Sequence, residues 1–227
     1  MLFRSTRCLQ IEYRKSQAPP LPPRNPFPAA VIDVVMGYKY LVQDLGLNPA
    51  NILVSGESAG GNLVIALGRF LQGHPSLPMP GALLAISPSV DWGRTHYGPG
   101  SSFETNDDSD YIHPFLDEVA PRALLGELSF SEARTNAWIS PASRRLEDVA
   151  GLFSGFPPTC VHVGGGEVSL DESRTLYERL VADIGEEKAT FLVTPDATHL
   201  CMNWGGHARE FEATYAMLNE WVESTFL

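Results

Sequence analysis

The chain is short of cysteine, of positive charge and of long apolar runs, and each shortage removes a class of protein. Cys8, Cys160 and Cys201 are the only cysteines in 227 residues. They are scattered and none forms a C-x-x-C pair, so they build no disulfide framework, and a reducing compartment suits them. Sixteen Lys and Arg stand against 27 Asp and Glu, for a formal net charge of -11, and no basic cluster offsets this locally. A phosphate backbone would be repelled, and no nucleic-acid partner is expected. No stretch reaches the roughly 18 to 20 apolar residues of a membrane span. The opening MLFRSTRCLQIEYRK also lacks the apolar core of a secretory leader. These features lead us to expect a protein without a membrane span, located in the cytoplasm.

What is present is enough for one sizeable core. The chain is 44% hydrophobic, and a domain of this length hides roughly 70% or more of its unfolded surface, so a single domain over residues 1–227 is expected. Residues 8–13 alternate, with Leu9, Ile11 and Tyr13 on one face, which predicts a short strand. From Pro28 onward Val31, Val34, Val35, Tyr38 and Leu41 recur at helical spacing, and Gly46 suits the stop. Residues 52–54 read as a brief apolar strand, followed by a glycine-rich turn and a helical pattern through 62–71. Further buried strands are predicted at 82–86, 160–163 and 190–193. This alternation predicts an α/β fold with a mostly parallel sheet and helices on both faces. Residues at about 92–155 break the rhythm with Gly, Pro, Ser and acidic residues and a short helical piece at 115–125. So long an irregular stretch inside a compact domain reads as a cap-like insertion over a site.

Gly56-Glu57-Ser58-Ala59-Gly60 lies between the 52–54 strand and the 62–71 helix. A serine hydroxyl is a poor nucleophile until a base takes its proton and a tight turn projects its oxygen. Gly-x-Ser-x-Gly between a strand and a helix supplies that turn and leaves the next backbone N–H, here of Ala59, free to bind an oxyanion. His199 is the candidate base, because it follows the 190–193 strand, and functional groups gather beyond the C-terminal ends of parallel strands. His162 lies within a strand and reads as a packed core residue. His74, His96, His113 and His207 read as loop or surface residues. Glu167, Asp171 and Asp196 all follow predicted strands and are all candidates to orient the base.

The stretch Gly56-Glu57-Ser58-Ala59-Gly60-Gly61-Asn62-Leu63 resembles the hormone-sensitive-lipase-like family of α/β-hydrolases. The resemblance extends over most of the chain. Tyr13-Arg14 and then Phe27-Pro28-Ala29-Ala30 with Asp33 look like the segment leading to the family's elbow strand, and Ser87-Pro88-Ser89-Val90-Asp91, Ile139-Ser140-Pro141 and Phe156-Pro157-Pro158 look like its later landmarks, particularly those of fungal members. The resemblance implies an α/β-hydrolase fold and hydrolysis of small-molecule carboxylic esters, short-chain or lipid-like, through an acyl-enzyme, with no cofactor and no metal. It also implies Ser58 as nucleophile and His199 as base. Aligning Asp171-Glu172 with the family's Asp-Pro-Leu-x-Asp-Glu makes Glu167 the catalytic acid, where the family usually has Asp.

The family's His-Gly-Gly-Gly loop, which adds backbone donors to the oxyanion hole, has no counterpart in the sequence, nor does the strand before it. Removing one such donor typically costs about 100- to 1000-fold in turnover. The expectation is therefore a hydrolase domain truncated at its N-terminus, missing its first strands and its oxyanion loop. The alternative is a weak or inactive small-molecule-binding relative. Asp107, Asp108 and Asp110 read as a solvated acidic loop rather than a cation site. Gly164-Gly165-Gly166 reads as a strand-end turn, without the spacing or lysine of a phosphate loop. Phe103, Tyr111, Phe115 and Trp138 are candidates either to line an acyl pocket or to pack the insertion onto the sheet.

Overall fold

In a computed structural model, residues 7–112, 119–203 and 206–227 are described. Four strands, β1 (Leu53–Glu57), β2 (Ala82–Ile86), β3 (Thr159–Gly164) and β4 (Ala189–Thr194), form one sheet in the order β1-β2-β3-β4. Every neighbouring pair is parallel. Parallel neighbours need crossovers. Helix α2 (Ala59–Leu71) connects β1 to β2, residues 87–158 connect β2 to β3, and α6 (Leu170–Ile184) connects β3 to β4. Helix α1 (Ala29–Lys39), extended by a π-helical turn, precedes the sheet, and α7 (Ala208–Phe226) follows it.

The strand sequence explains why both faces are covered. In β2, Leu83 and Ala85 point to one side and pack with Val64 and Ile65 of α2, Val161 of β3 and Leu176 and Leu180 of α6. Ala82, Leu84 and Ile86 point to the other side and meet Cys160, Leu218 and Trp221, the last two from α7. The two-residue period of a strand delivers this division, and each fully buried Leu or Ile contributes about 1.5–3 kcal/mol. The parallel sheet with helices on both faces is as expected.

Residues 8–13 do not form a strand: residues 7–16 carry no ladder, and the one bridge nearby joins Gln17 to Arg24. The alternation there has a different cause. Ile11 and Tyr13 pack against Val34 and Tyr38 of α1, so one face is buried on a helix rather than on a neighbouring strand. Arg14 fixes this segment by a forked ion pair, its Nη2 lying 2.8 Å from Asp33 Oδ1 and its Nε 2.9 Å from Oδ2.

Within residues 92–155 the described elements are three short helices, α3 (Ser102–Thr105), α4 (Ala120–Leu125) and α5 (Phe130–Thr135). The helix expected over 115–125 is seen only as α4; residues 113–118, with His113 and Phe115, lie outside the described residues. Trp92, Ala120, Leu125, Ala133, Ile139 and Val168 form a cluster of their own, with Ala59 and Phe103 packed against it. That cluster ties the segment to the C-terminal end of the sheet.

Candidate active site

Only Ser58 separates the end of β1 from the start of α2, so one residue must turn the chain from strand to helix. Its φ of 56° and ψ of -118° are unfavourable for a residue with a Cβ, at a cost of about 1–3 kcal/mol. Backbone hydrogen bonds offset this. Ser58 N–H donates to Ile86 O at 2.9 Å, and Ser58 O accepts from Gly61 N–H at 3.0 Å and Ser89 N–H at 3.1 Å. The glycines contribute unequally. A Cβ on Gly56 would strike the Gly60 carbonyl, and one on Gly61 would lie 2.7 Å from Pro88 Cβ, whereas Gly60 has open space where its Cβ would be. Steric need therefore falls on Gly56 and on Gly61, outside the pentapeptide, and not on Gly60. Ala59 occupies the first position of α2, where a backbone N–H has no intrahelical acceptor.

The fold brings Ser58 next to His199 across 141 residues of sequence. Ser58 Oγ lies 2.9 Å from His199 Nε2, and His199 Nδ1 lies 3.0 Å from Glu167 Oε2. A carboxylate only accepts, so Nδ1 carries the proton and Nε2 is left to accept from the serine hydroxyl. Asp171 is at the first turn of α6, accepting from Ser102 N–H at 2.9 Å. Asp196 is exposed on the turn after β4. Of the three acidic candidates, Glu167 alone reaches the imidazole.

Glu167 is completely buried, at 0% exposure, so protein donors must replace water. Four do so. Gly164 N–H at 2.6 Å and Ser87 Oγ at 2.7 Å donate to Oε1, while Ser169 Oγ at 2.9 Å joins His199 in donating to Oε2. Burial pushes this carboxyl up, but the hydrogen bond and charge of His199, the Ser87 hydroxyl and the Gly164 N–H outweigh it and hold it below the usual value. The Gly164 to Gly166 run permits the packing: a Cβ on Gly164 would collide with the Ala197 carbonyl of the loop that carries His199.

Two readings of the sequence need correction. Asp110 is not solvated: it is 3% exposed and accepts from Val168 N–H at 2.9 Å. The sequence around it is acidic and loop-like, and only tertiary packing turns this one carboxylate inward. His96 is not a surface residue but is buried, its Nδ1 2.7 Å from Asp91 Oδ2 and its Nε2 2.9 Å from Thr175 Oγ1. His162 is a core residue as expected, hydrogen-bonded through Nε2 to Thr194 Oγ1 at 2.9 Å. His74 and His207 are half-buried.

Asp110, Glu167 and His199 hold potential metal-ligating atoms within 4.8 Å of one another. Asp110 accepts backbone N–H groups, Glu167 accepts from four donors and the lone pair of His199 Nε2 faces Ser58 Oγ, so a cation would have to compete with the site's hydrogen bonds to enter. Of the aromatic candidates, Tyr111 is half-exposed with its ring edge-on to His199, centroids 6.2 Å apart. Phe103 stacks on Tyr97. Trp138 lines a small crevice with Phe27, Leu63 and Leu124 and carries Arg69 over its ring at 4.3 Å.

A parallel sheet, a serine held in a strained turn between strand and helix, and a histidine bridging it to a buried acid stand together at the C-terminal end of the strands. The chain belongs to the alpha/beta hydrolase fold family, whose model matches residues 5–203. An esterase of Acinetobacter venetianus is 31% identical over 160 residues, 70% of this chain and 48% of that protein. Esterase LipU of Mycobacterium tuberculosis is 28% identical over 222 residues, 98% of this chain and 65% of that protein. Among solved structures, a hormone-sensitive lipase from a metagenome library superposes with a TM-score of 0.74 at 29% identity, covering 94% of this chain and 65% of that one. The chain thus spans about half to two thirds of the length of these relatives. Among the described residues no helix is long and apolar enough to cross a membrane.

Proposed function

We propose that the protein is a serine hydrolase of carboxylic esters, with Ser58 as nucleophile, His199 as base and Glu167 as the acid that orients it. The observation that carries this reading is the unbroken chain Ser58 Oγ, His199 Nε2, His199 Nδ1, Glu167 Oε2, with links of 2.9 and 3.0 Å. Ser58 Oγ attacks the ester carbonyl as its proton passes to His199 Nε2. The imidazolium so formed is balanced by Glu167, and the oxyanion is met by the Ala59 N–H at the positive end of α2. Collapse breaks the ester C–O bond, and His199 returns the proton to the departing alcohol. Water then attacks the acyl-enzyme by the same route, releasing the carboxylic acid and restoring Ser58.

Short-chain or lipid-like acyl esters are the proposed substrates, in keeping with relatives named esterase and carboxylesterase/phospholipase. Residues 92–155 are proposed to act as a cap that shapes the acyl pocket. All three cysteines are free, which suits the proposed cytoplasmic setting. A fluorophosphonate probe tests the central claim. It labels the parent chain and fails to label Ser58→Ala; equal labelling of both, or of neither, removes Ser58 from the nucleophile's role. Faster cleavage of p-nitroanilides than of p-nitrophenyl esters would reassign the enzyme as an amidase.

A further inference from the structure

The acid and the base stand on loops after different strands, and both loops are held by a segment outside the serine motif. Residues 102–110 lay polar groups along the backbone of the acid turn. Asn106 Nδ2 donates to Gly165 O at 3.2 Å and to Glu167 O at 2.8 Å. Ser109 Oγ donates to Gly166 O at 2.9 Å and Ser102 Oγ to Val168 O at 2.8 Å. Asp110 completes the row with the opposite polarity. Its Oδ2 accepts from Val168 N–H at 2.9 Å, and its Oδ1 accepts from His199 N–H and Ile112 N–H, each at 3.4 Å. One buried carboxylate thus receives the N–H of the residue after the acid and the N–H of the base itself.

Building on the reading of Ser58, His199 and Glu167 as a catalytic chain, we propose that Asp110 is a positioning residue whose carboxylate locks the Glu167 turn to the His199 loop. The link between Glu167 and His199 is a single hydrogen bond between side chains rooted on separate loops. A displacement of about 1 Å between such groups costs on the order of 100-fold in rate. The 2.9 Å bond from Val168 N–H and the longer 3.4 Å contact from His199 N–H attach both backbones to one carboxylate and oppose that displacement. Burial pushes the Asp110 carboxyl above its usual value and the Glu167 charge adds to this, while the Val168 N–H and the nearby His199 pull it back. Asp110 also makes the position of the acid and base depend on the β2–β3 connection, the segment proposed to cap the site.

The test is a spectroscopic one that does not depend on turnover. The proton on His199 Nδ1, hydrogen-bonded to Glu167, gives a far-downfield NMR resonance, assigned by its loss in His199→Gln. In Asp110→Asn this resonance broadens or disappears and fluorophosphonate labelling slows about 10- to 100-fold, while circular dichroism reports a folded chain. If Asp110→Asn does not fold, Asp110→Ser is read in the same way. A resonance as sharp in the folded variant as in the parent overturns the proposal, as does its absence from the parent or loss of the fold in both variants. Should the parent show the resonance but take no label, the hydrolase reading fails, and the resonance in the variants still decides whether Asp110 positions the pair.

Discussion

Ser87 Oγ donates to Glu167 Oε1 at 2.7 Å, tying the residue after β2 to the acid after β3. Ser87 has a φ of 46°, unusual for a residue with a Cβ, and its N–H donates to His162 O at 2.7 Å. The turn holds the hydroxyl where it replaces water on a fully buried carboxylate. Ser87→Ala removes one of four donors and leaves the charge in place. A hydrogen bond to a charged group is worth about 1.5–3 kcal/mol. Urea denaturation should therefore show a loss of that order, with fluorophosphonate labelling slowed about tenfold. An unchanged midpoint and rate would mean that the carboxylate does not rely on Ser87.

Glu167→Asp tests whether the longer acid is interchangeable with the Asp that resembling sequences carry. It is not expected to be. Oε1 is fixed by Gly164 N–H and Ser87 Oγ while Oε2 reaches His199, so a side chain one methylene shorter, anchored at the same Cα, cannot serve both sides. Labelling is expected to slow about 10- to 100-fold, short of the roughly 10,000-fold typical when a triad acid becomes an amide. A rate equal to the parent's would show that the turn adapts to the shorter side chain.

Strong local signals made the sheet, Ser58 and His199 legible in the sequence, whereas they left Glu167, Asp171 and Asp196 level as the acid, and only the family resemblance favoured Glu167. Apolar runs marked β1 to β4, and Ser58, Glu167 and His199 each follow one of these strands. The supporting residues left no such trace. Asp110 sits in a run with Asp107 and Asp108 that composition alone marks as solvated, and its burial comes from packing against Val168 and His199. The hydrogen bond of Ser87 to Glu167 spans 80 residues and depends on loops that meet only in the folded chain, while Ser169 binds Glu167 within one turn that carries no motif of its own. Residues 8–13 misled because one-sided burial produces the same alternation on a helix as on a sheet. The requirement at Gly61 arises from Pro88, 27 residues away, and no local pattern announces it.

Glu172 lies beneath the site as a buried acid that works against folding at neutral pH. Its Oε1 accepts from Val90 N–H at 2.8 Å, and burial, followed by the charge of Asp91, raises its carboxyl well above the usual value. A carboxyl raised in the folded state binds its proton more tightly there than in the unfolded chain. Its contribution to stability is complete below the unfolded value and declines as pH rises from there toward the folded one. Asp91 Oδ1 is buried without a hydrogen-bond partner. Glu172→Gln keeps an acceptor for Val90 and offers Asp91 a donor without a titrating proton. Its melting temperature should exceed the parent's by about 3 °C or more at pH 8, with the gain fading as pH approaches 4.5. An equal gain at both pH values would disconnect it from protonation.

His162 carries the opposite pH dependence and supplies an internal control. It is buried in β3, and burial lowers its pKa to about 4, with the Glu167 charge opposing the shift. An unfolded histidine titrates near 6.5, so the unfolded chain takes up a proton that the folded one refuses. The stabilising term is complete above pH 6.5 and is lost as pH falls toward 4, amounting to roughly 3 kcal/mol at its limit. His162→Gln keeps a polar group for Thr194 but removes the titration. Its overall stability drops through poorer packing, yet its stability curve between pH 6.5 and 4 should be flatter than the parent's in urea denaturation at stepped pH. Parallel curves would place the acid sensitivity elsewhere, whereas a flattened one, combined with the Glu172→Gln result, would assign the two limbs of the pH–stability profile to two buried groups.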